Sequence, residues 1–373
     1  MTRITRLEAR PWNIELVVPF GIATGAQATA NNVLVMIELD EGVTGLGEAA
    51  PFPAVNGDTQ ERALAALRAA AGTFASELPS CERDDFRALA TPARATLSPS
   101  PSALAALEMA VLDACCKLAG RSLWEYFGAT EATLESDITI PTGTESDAER
   151  AAARALEMGF SRLKVKVGGR RLDEDLRRLE AIARSAPDAE LVLDANASLS
   201  ESEAVELMRA LGSIAERVVL FEQPTARRDL GALARVRNAV GCPVAADESA
   251  GSASDVHEIA RARAADVVNV KTAKCGLGEA VKMVHAARDL GLGLMIGGMV
   301  ETELSMTVSA CLAAGVGGFR FVDLDTPLFM RERQLTGGFL RTGKLLDVSS
   351  LGPGHGVRHA SALAHIAGGE LLC

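Results

Sequence analysis

The chain has 373 residues, 48% hydrophobic and 23% charged, a globular profile with length enough for a large domain and a smaller companion. A net charge of −11, no Lys/Arg-rich run and only 4% aromatic residues argue against nucleic acid as a partner. Seven scattered cysteines suit neither a metal site nor a disulfide framework. No apolar leader or membrane-length apolar run is present, so the expectation is a reduced, cytoplasmic protein without membrane attachment.

The first stretch reads as strands followed by helices. "ITRLEARPWNIELVVPF" and "NNVLVMIELDEGVTGLGEAAP" are β-rich, with Asp40-Glu41-Gly42 and Gly45/Gly47 read as turns. Between them, residues 21–31 are small, polar and glycine-containing and read as a mobile loop. Helical patterns follow at 59–77 and 102–119, the second opening at Ser102 and closing at Gly120. This α+β unit ends near Gly128.

From about residue 135 short apolar runs alternate with Ala/Arg/Glu-rich amphipathic segments. The runs are "DITIP", "RLKVKV", "ELVLDAN", "RVVLFEQP", "CPVAADES", "DVVNVK", "GLMIGG" and "RFVDLD". Eight near-equal strand–helix units favour a closed parallel (β/α) barrel over an open doubly wound sheet. The glycine-punctuated tail returns to strand-like pieces and is expected to pack on the first unit.

The second run poses a problem. In "SRLKVKVGG", Lys164 and Lys166 alternate with Leu163, Val165 and Val167, so a central strand would aim two ammonium groups into a core. Burying an unpaired charge is costly, so anionic partners are required. They recur at the strand ends: Lys166, Asp194, Glu222, Asp247 and Lys271 succeed one another at one strand-plus-helix repeat each. In a barrel such residues converge at the C-terminal mouth. A single acidic residue there is commonly a helix cap; five ionic residues at matched spacing are not explained by capping.

Three carboxylates without His or Cys suit Mg²⁺ rather than zinc. The order Lys, Asp-Glu-Asp, Lys places one amine on each side of that ion. A substrate carboxylate on the metal would hold its α-carbon between two proton acceptors, and the metal would stabilise the enediolate formed when the proton leaves. A lysine crowded by a cation and a second lysine is expected to have its pKa lowered.

The segments "KVKVG", "LDANA", "FEQP", "ADES" and "VNVKTAKCGLG" together resemble the enolase superfamily, in its muconate lactonizing enzyme subgroup, and the likeness covers nearly the whole chain. It implies a modified TIM barrel, (β/α)7β, with an α+β capping domain: residues 1–128 the cap, 129–330 the barrel, and 331–373 a segment returning to the cap. It also implies Asp194, Glu222 and Asp247 as metal ligands, Lys166 and Lys271 as the acid/base pair, and Lys164 as an auxiliary cation beside the substrate carboxylate. Family likeness suggests a homo-oligomer, a dimer or octamer. The mandelate racemase subgroup fits less well, because none of the five histidines ends a barrel strand.

The eighth run ends with Asp323 and Asp325 on one face. Loop capping is the plain reading; the sharper one is an anionic clamp for a substrate ammonium. A dipeptide meets that geometry, its C-terminal carboxylate on Mg²⁺ and its N-terminal ammonium one residue further away. This Asp-x-Asp resembles the element that marks dipeptide epimerases in the subgroup, so inversion at the C-terminal residue is expected, without a redox cofactor. Members acting on Ala-Glu are expected to carry a basic residue in the cap loop. None lies between Pro19 and Asp40, which favours a neutral or hydrophobic C-terminal residue. Thr139, Met299 and Glu301 are expected to line the pocket. The alternatives are N-acylamino acid racemase, o-succinylbenzoate synthase or muconate cycloisomerase, and, outside the superfamily, a Mg²⁺-dependent aldolase or lyase or a non-catalytic binding protein.

Overall fold

The computed structural model describes residues 2–22, 25–71, 91–169, 171–359 and 370–371. Strands β1 (Ile4–Ile22), β2 (Gly25–Leu39) and β3 (Thr44–Ala49) form an antiparallel sheet, to whose outer edge Glu370–Leu371 adds beside β1. Residues 21–31, expected as a loop, are the far end of the β1–β2 hairpin, where Phe20 pairs with Gln27 and Gly21 with Ala26. None of these residues is proline, so every backbone N–H remains available to the ladder. Ala23 and Thr24 lie outside the described residues.

Gly42 has a φ of 76° and makes the turn before β3, as expected. Gly45 and Gly47 do not: they lie within β3 and face the helix Pro101–Leu118. A Cβ on Gly45 would stand 1.9 Å from the Ala110 carbonyl oxygen, and one on Gly47 1.8 Å from that of Ala106. These glycines let the helix lie directly on the sheet. Its N-cap is Ser100 rather than Ser102, with Pro101 at the first helical position. Ser102 instead donates to the buried Asp58 at 2.7 Å. The earlier helix runs Gln60–Ala71, and the rest of the 59–77 expectation lies outside the described residues.

After β4 (Thr133–Glu135), all eight expected barrel strands are present. They are β5 (Ile138–Ile140), β6 (Arg162–Lys166), β7 (Glu190–Asp194), β8 (Val218–Glu222), β9 (Val244–Ala246), β10 (Val267–Val270), β11 (Gly293–Ile296) and β12 (Phe319–Val322). They form one parallel sheet in chain order, with helices between successive strands. The sheet curls until its ends touch: the Asp137 N–H, beside β5, donates to the Val322 carbonyl of β12 at 2.8 Å. Helices on this rim start at polar caps, among them Thr144, Ser200 and Ser252.

Inside the curl, period-two alternation stacks two layers. Val192, Leu220, Ala245, Val267, Met295 and Phe321 form an apolar floor separate from the main core. Two residues further along, Val192, Leu220, Ala245 and Phe321 give way to Asp194, Glu222, Asp247 and Asp323. Register sets Lys166 beside Asp194 and Asp194 beside Glu222. The fold thus places its ionic residues one layer above an apolar plug, at the C-terminal ends of the strands.

Candidate active site

The lysines that open the problem find their partners in this upper layer. Lys164 Nζ lies 2.6 Å from Asp323, 2.8 Å from Glu222 and 3.1 Å from Asp194. Lys166 Nζ donates to Asp194 at 2.7 Å, and Lys271 Nζ to Asp247 at 2.7 Å. All six catalytic-layer candidates from Lys164 to Lys271 are at most 5% exposed. The structure therefore gathers Lys164, Lys166, Asp194, Glu222, Asp247 and Lys271 into one buried network.

Its charges pull the titrating groups apart. Burial opposes ionisation of Asp194, but the Lys166 and Lys164 ammonium groups outweigh it and hold the carboxyl well below the usual carboxylate range. Asp247 is held low in the same way, by Lys271 and Lys274 against its burial. Glu222 goes the other way: burial, with the neighbouring Asp194 charge, pushes it up to about 7. At Lys164 and Lys271 the protein's own charges act in two directions. Burial does lower them, but Asp323 and Glu222 around Lys164, and Asp247 and Glu222 around Lys271, raise both above the ordinary value. The lowering expected for an acid/base lysine includes the charge of a bound divalent ion, whereas these neighbours by themselves are mostly anions.

Several residues of the site went unnoticed in the sequence. Lys274 Nζ donates to the Asp247 carboxylate at 2.8 Å, to its carbonyl at 2.5 Å and to the Asn269 carbonyl at 3.1 Å. Asn269 donates to Glu222 at 2.8 Å, and Asn196 to Glu248 at 3.3 Å. Asn269 carried a readable signal, since it sits between the inward Val267 and Lys271 in a period-two run. Arg178 had none: from the helix Leu172–Ser185 it reaches back to the Lys166 carbonyl at 2.9 Å and the Pro141 carbonyl at 3.1 Å, fixing the end of β6.

A narrow cleft of about 20 Å³ opens onto this network. The cap contributes Phe20, Phe52 and Val55, and the barrel Lys166, Lys271, Met299 and Asp323. Phe20 stands 5.8 Å from Lys166 Nζ and packs edge-on to Phe329. Asp325 is fully buried one step behind, accepting from the Thr139 N–H at 2.5 Å, and its Oδ1 lacks a partner among the described residues. Thr139 faces a separate groove on the other side of that bond. Glu301 also lies behind the cleft, its oxygens accepting from the Met299 N–H at 2.9 Å and the Ser305 hydroxyl at 2.6 Å.

Among the described residues, no three acidic, His or Cys side chains converge on one metal-sized point. The carboxylates are drawn onto the lysine amines instead. The donor set of Asp194, Glu222 and Asp247 nevertheless fits a hard divalent ion: it is all oxygen, comes from three adjacent strands, and already coordinates cationic nitrogen within 3.1 Å.

This fold and this arrangement of lysines and carboxylates define a family. Residues 4–128 match the mandelate racemase/muconate lactonizing enzyme N-terminal domain, and residues 147–362 match the enolase C-terminal domain-like family. The chain belongs to the enolase superfamily. It is 44% identical over 359 residues to an aromatic dipeptide epimerase of Herpetosiphon aurantiacus, spanning 96% of this chain and 99% of that protein. It is 35% identical to the L-Ala-D/L-Glu epimerase of Thermotoga maritima, over 93% of this chain and 99% of that protein. A dipeptide epimerase from Enterococcus faecalis V583, solved with Mg and the dipeptide L-Leu-L-Tyr, superposes with a TM-score of 0.90 at 30% identity, covering 96% of this chain and all of that one.

Proposed function

We propose that the chain is a Mg²⁺-dependent dipeptide epimerase, an isomerase that inverts the α-carbon of the C-terminal residue by 1,1-proton transfer. The observation that carries this reading is the placement of the Lys166 and Lys271 amines, each 2.7 Å from a different aspartate of one carboxylate triad. Two proton-carrying groups thereby address one cation-binding point from different strands. Asp194, Glu222 and Asp247 would hold the ion, which when bound supplies a Lewis acid for the substrate carboxylate.

The chain's own residues do the rest. One of Lys166 and Lys271, as a free amine, takes the α-proton; the other, as an ammonium, returns a proton on the opposite face. Lys164, whose charge three carboxylates stabilise, remains an ammonium beside the substrate carboxylate. Asp323 at the cleft, backed by the unpartnered oxygen of Asp325, accepts from the dipeptide ammonium. Phe20, Phe52, Val55 and Met299 give the cleft an apolar wall suited to a neutral or hydrophobic C-terminal side chain. Thr139 and Glu301 act on it indirectly, through the hydrogen bonds that hold Asp325 and the Met299 backbone. At about 20 Å³ the cleft holds no dipeptide, so these side chains must yield on substrate entry.

The same reading divides the chain into a cap (1–128), a (β/α)7β barrel (129–330) and a returning segment (331–373). The cap sheet and the curled eight-strand sheet support that division. It further takes the enzyme to be a cytoplasmic homo-oligomer with no nucleic-acid or membrane partner. No helix among the described residues is long and apolar enough to cross a membrane.

The test is incubation with Mg²⁺ and a set of L-Ala-L-Xaa and L-Xaa-L-Ala dipeptides in D₂O. Deuterium at the C-terminal α-carbon together with the L,D epimer is the expected result, best for apolar or aromatic Xaa at the C-terminus. Label at the N-terminal residue, or none with any dipeptide, would refute the assignment.

A further inference from the structure

The cap does more than cover the mouth; one of its buried carboxylates holds the loop that packs on a catalytic amine. Glu48, in β3, is completely buried and has no ionic role in the lysine–carboxylate network. Its Oε1 accepts from Asn32 Nδ2 at 2.6 Å and from the Thr302 N–H at 2.9 Å. Its Oε2 accepts from the Thr302 hydroxyl at 2.6 Å and the Ser305 N–H at 3.2 Å. Asn32 spends its second N–H on the Val300 carbonyl at 2.9 Å. Two cap residues thus grip both ends of a short barrel segment, Val300 to Ser305, that follows β11.

Immediately before it runs Gly297-Gly298-Met299, and this stretch touches the site. A Cβ on Gly297 would stand 3.0 Å from Lys271 Cε and 2.8 Å from Asn269 Oδ1, so its backbone lies directly against the Lys271 side chain. Gly298 and Met299 line the cleft. Among the described residues the cap meets Lys166 only at its amine, through Phe20, and that strand end is held from the barrel by Arg178.

We propose that Glu48 is a positioning residue for Lys271, acting through the 297–302 loop that it and Asn32 tie to the cap. A carboxylate suits the task because all its partners are donors; an amide at the same place would turn an N–H toward the Thr302 and Ser305 N–H groups. The consequence is asymmetric. Loosening the loop displaces the amine on one face of the substrate and leaves the other face alone.

This inference rests on the epimerase reading, and its test separates the two. Initial rates of α-proton exchange into D₂O are measured from each epimer of one dipeptide, for the wild type, Glu48→Gln and Asn32→Ser. The Lys166→Ala variant identifies the epimer served by Lys271. Glu48→Gln is expected to slow exchange of that epimer by about 10-fold and the other by less than about 2-fold, and Asn32→Ser to show the same bias more weakly. Amide hydrogen exchange in the 297–302 segment should rise in both variants, a readout independent of activity. Asp113→Asn, which cuts a cap tie remote from the mouth, should show no bias. Equal slowing of both epimers, or unchanged protection of the loop, overturns the proposal and leaves Glu48 an ordinary helix cap. If Glu48→Gln fails to fold, Asn32→Ser decides alone. Absence of exchange in the wild type would instead refute the epimerase reading.

Discussion

Two buried ionic clusters of this molecule have opposite characters. Beneath the returning segment, Asp113 accepts from the His355 N–H at 3.0 Å, the Leu46 N–H at 3.0 Å and Lys117 Nζ at 2.6 Å. His355 is equally complete: Nδ1 accepts from the Val357 N–H at 3.0 Å and Nε2–H donates to the Leu46 carbonyl at 3.1 Å. At the mouth, four lysines (Lys164, Lys166, Lys271 and Lys274) share carboxylates, and among the described residues Glu248 Oε2, Asn196 Oδ1 and Asn269 Oδ1 are buried without hydrogen-bond partners. Glu222 is pushed up to about 7 while Asp194 is held far lower. A satisfied buried cluster fastens one part of a chain to another. An unsatisfied one, with its titrations driven apart, is arranged for something that binds or reacts there.

The sharpest way to break that contrast is to remove one amine from the mouth. Lys166→Ala or Lys271→Ala should lower the rate of inversion per folded molecule by about 10³-fold, whatever the change in urea midpoint. Asp113→Asn should do the reverse: a loss of about 3 kcal/mol in urea unfolding, with kcat per folded molecule nearly unchanged. Next in size, Asp323→Asn combined with Asp325→Asn should raise KM for a free dipeptide by about 30-fold, as expected for loss of a charge-assisted contact. An N-acylated dipeptide should be indifferent to that change; a free dipeptide equally indifferent to it would favour the N-acylamino acid racemase alternative.

The smallest effect concerns the anchor's pH dependence. Burial pushes the His355 imidazole below its ordinary 6.5. On acidification the unfolded chain therefore takes up the proton first, so the stability contribution is full above about 6.5 and falls as pH drops toward the folded-state value. His355→Gln should flatten that slope in urea melts between pH 5 and 7, and an unaltered slope would show that His355 does not carry it.

Much of this contrast was legible in the sequence at the mouth and little of it elsewhere. Alternation in "RLKVK" and repeat spacing from Lys166 to Lys271 give strand direction and axial height, because a barrel converts both into position. What the spacing lacks is the balance of neighbours, the carboxylates that hold Lys164 and Lys271 above the ordinary lysine value. Gly45 and Gly47 were mistaken for turns because a glycine's need for space looks the same in sequence as its need for positive φ. Glu48, Lys274 and Arg178 were invisible for another reason. Each acts across a contact between elements distant in the chain or off the strand pattern, and no period records such a contact.

The central claim, that Lys166 and Lys271 serve opposite faces of one α-carbon, is most directly tested by α-proton exchange in the two single alanine variants, using both epimers of a good dipeptide in D₂O with Mg²⁺. The expected result is loss of inversion in both variants, with exchange surviving for one epimer in Lys166→Ala and for the other in Lys271→Ala. Exchange of the same epimer in both variants, or inversion near the wild-type rate in either, would contradict it.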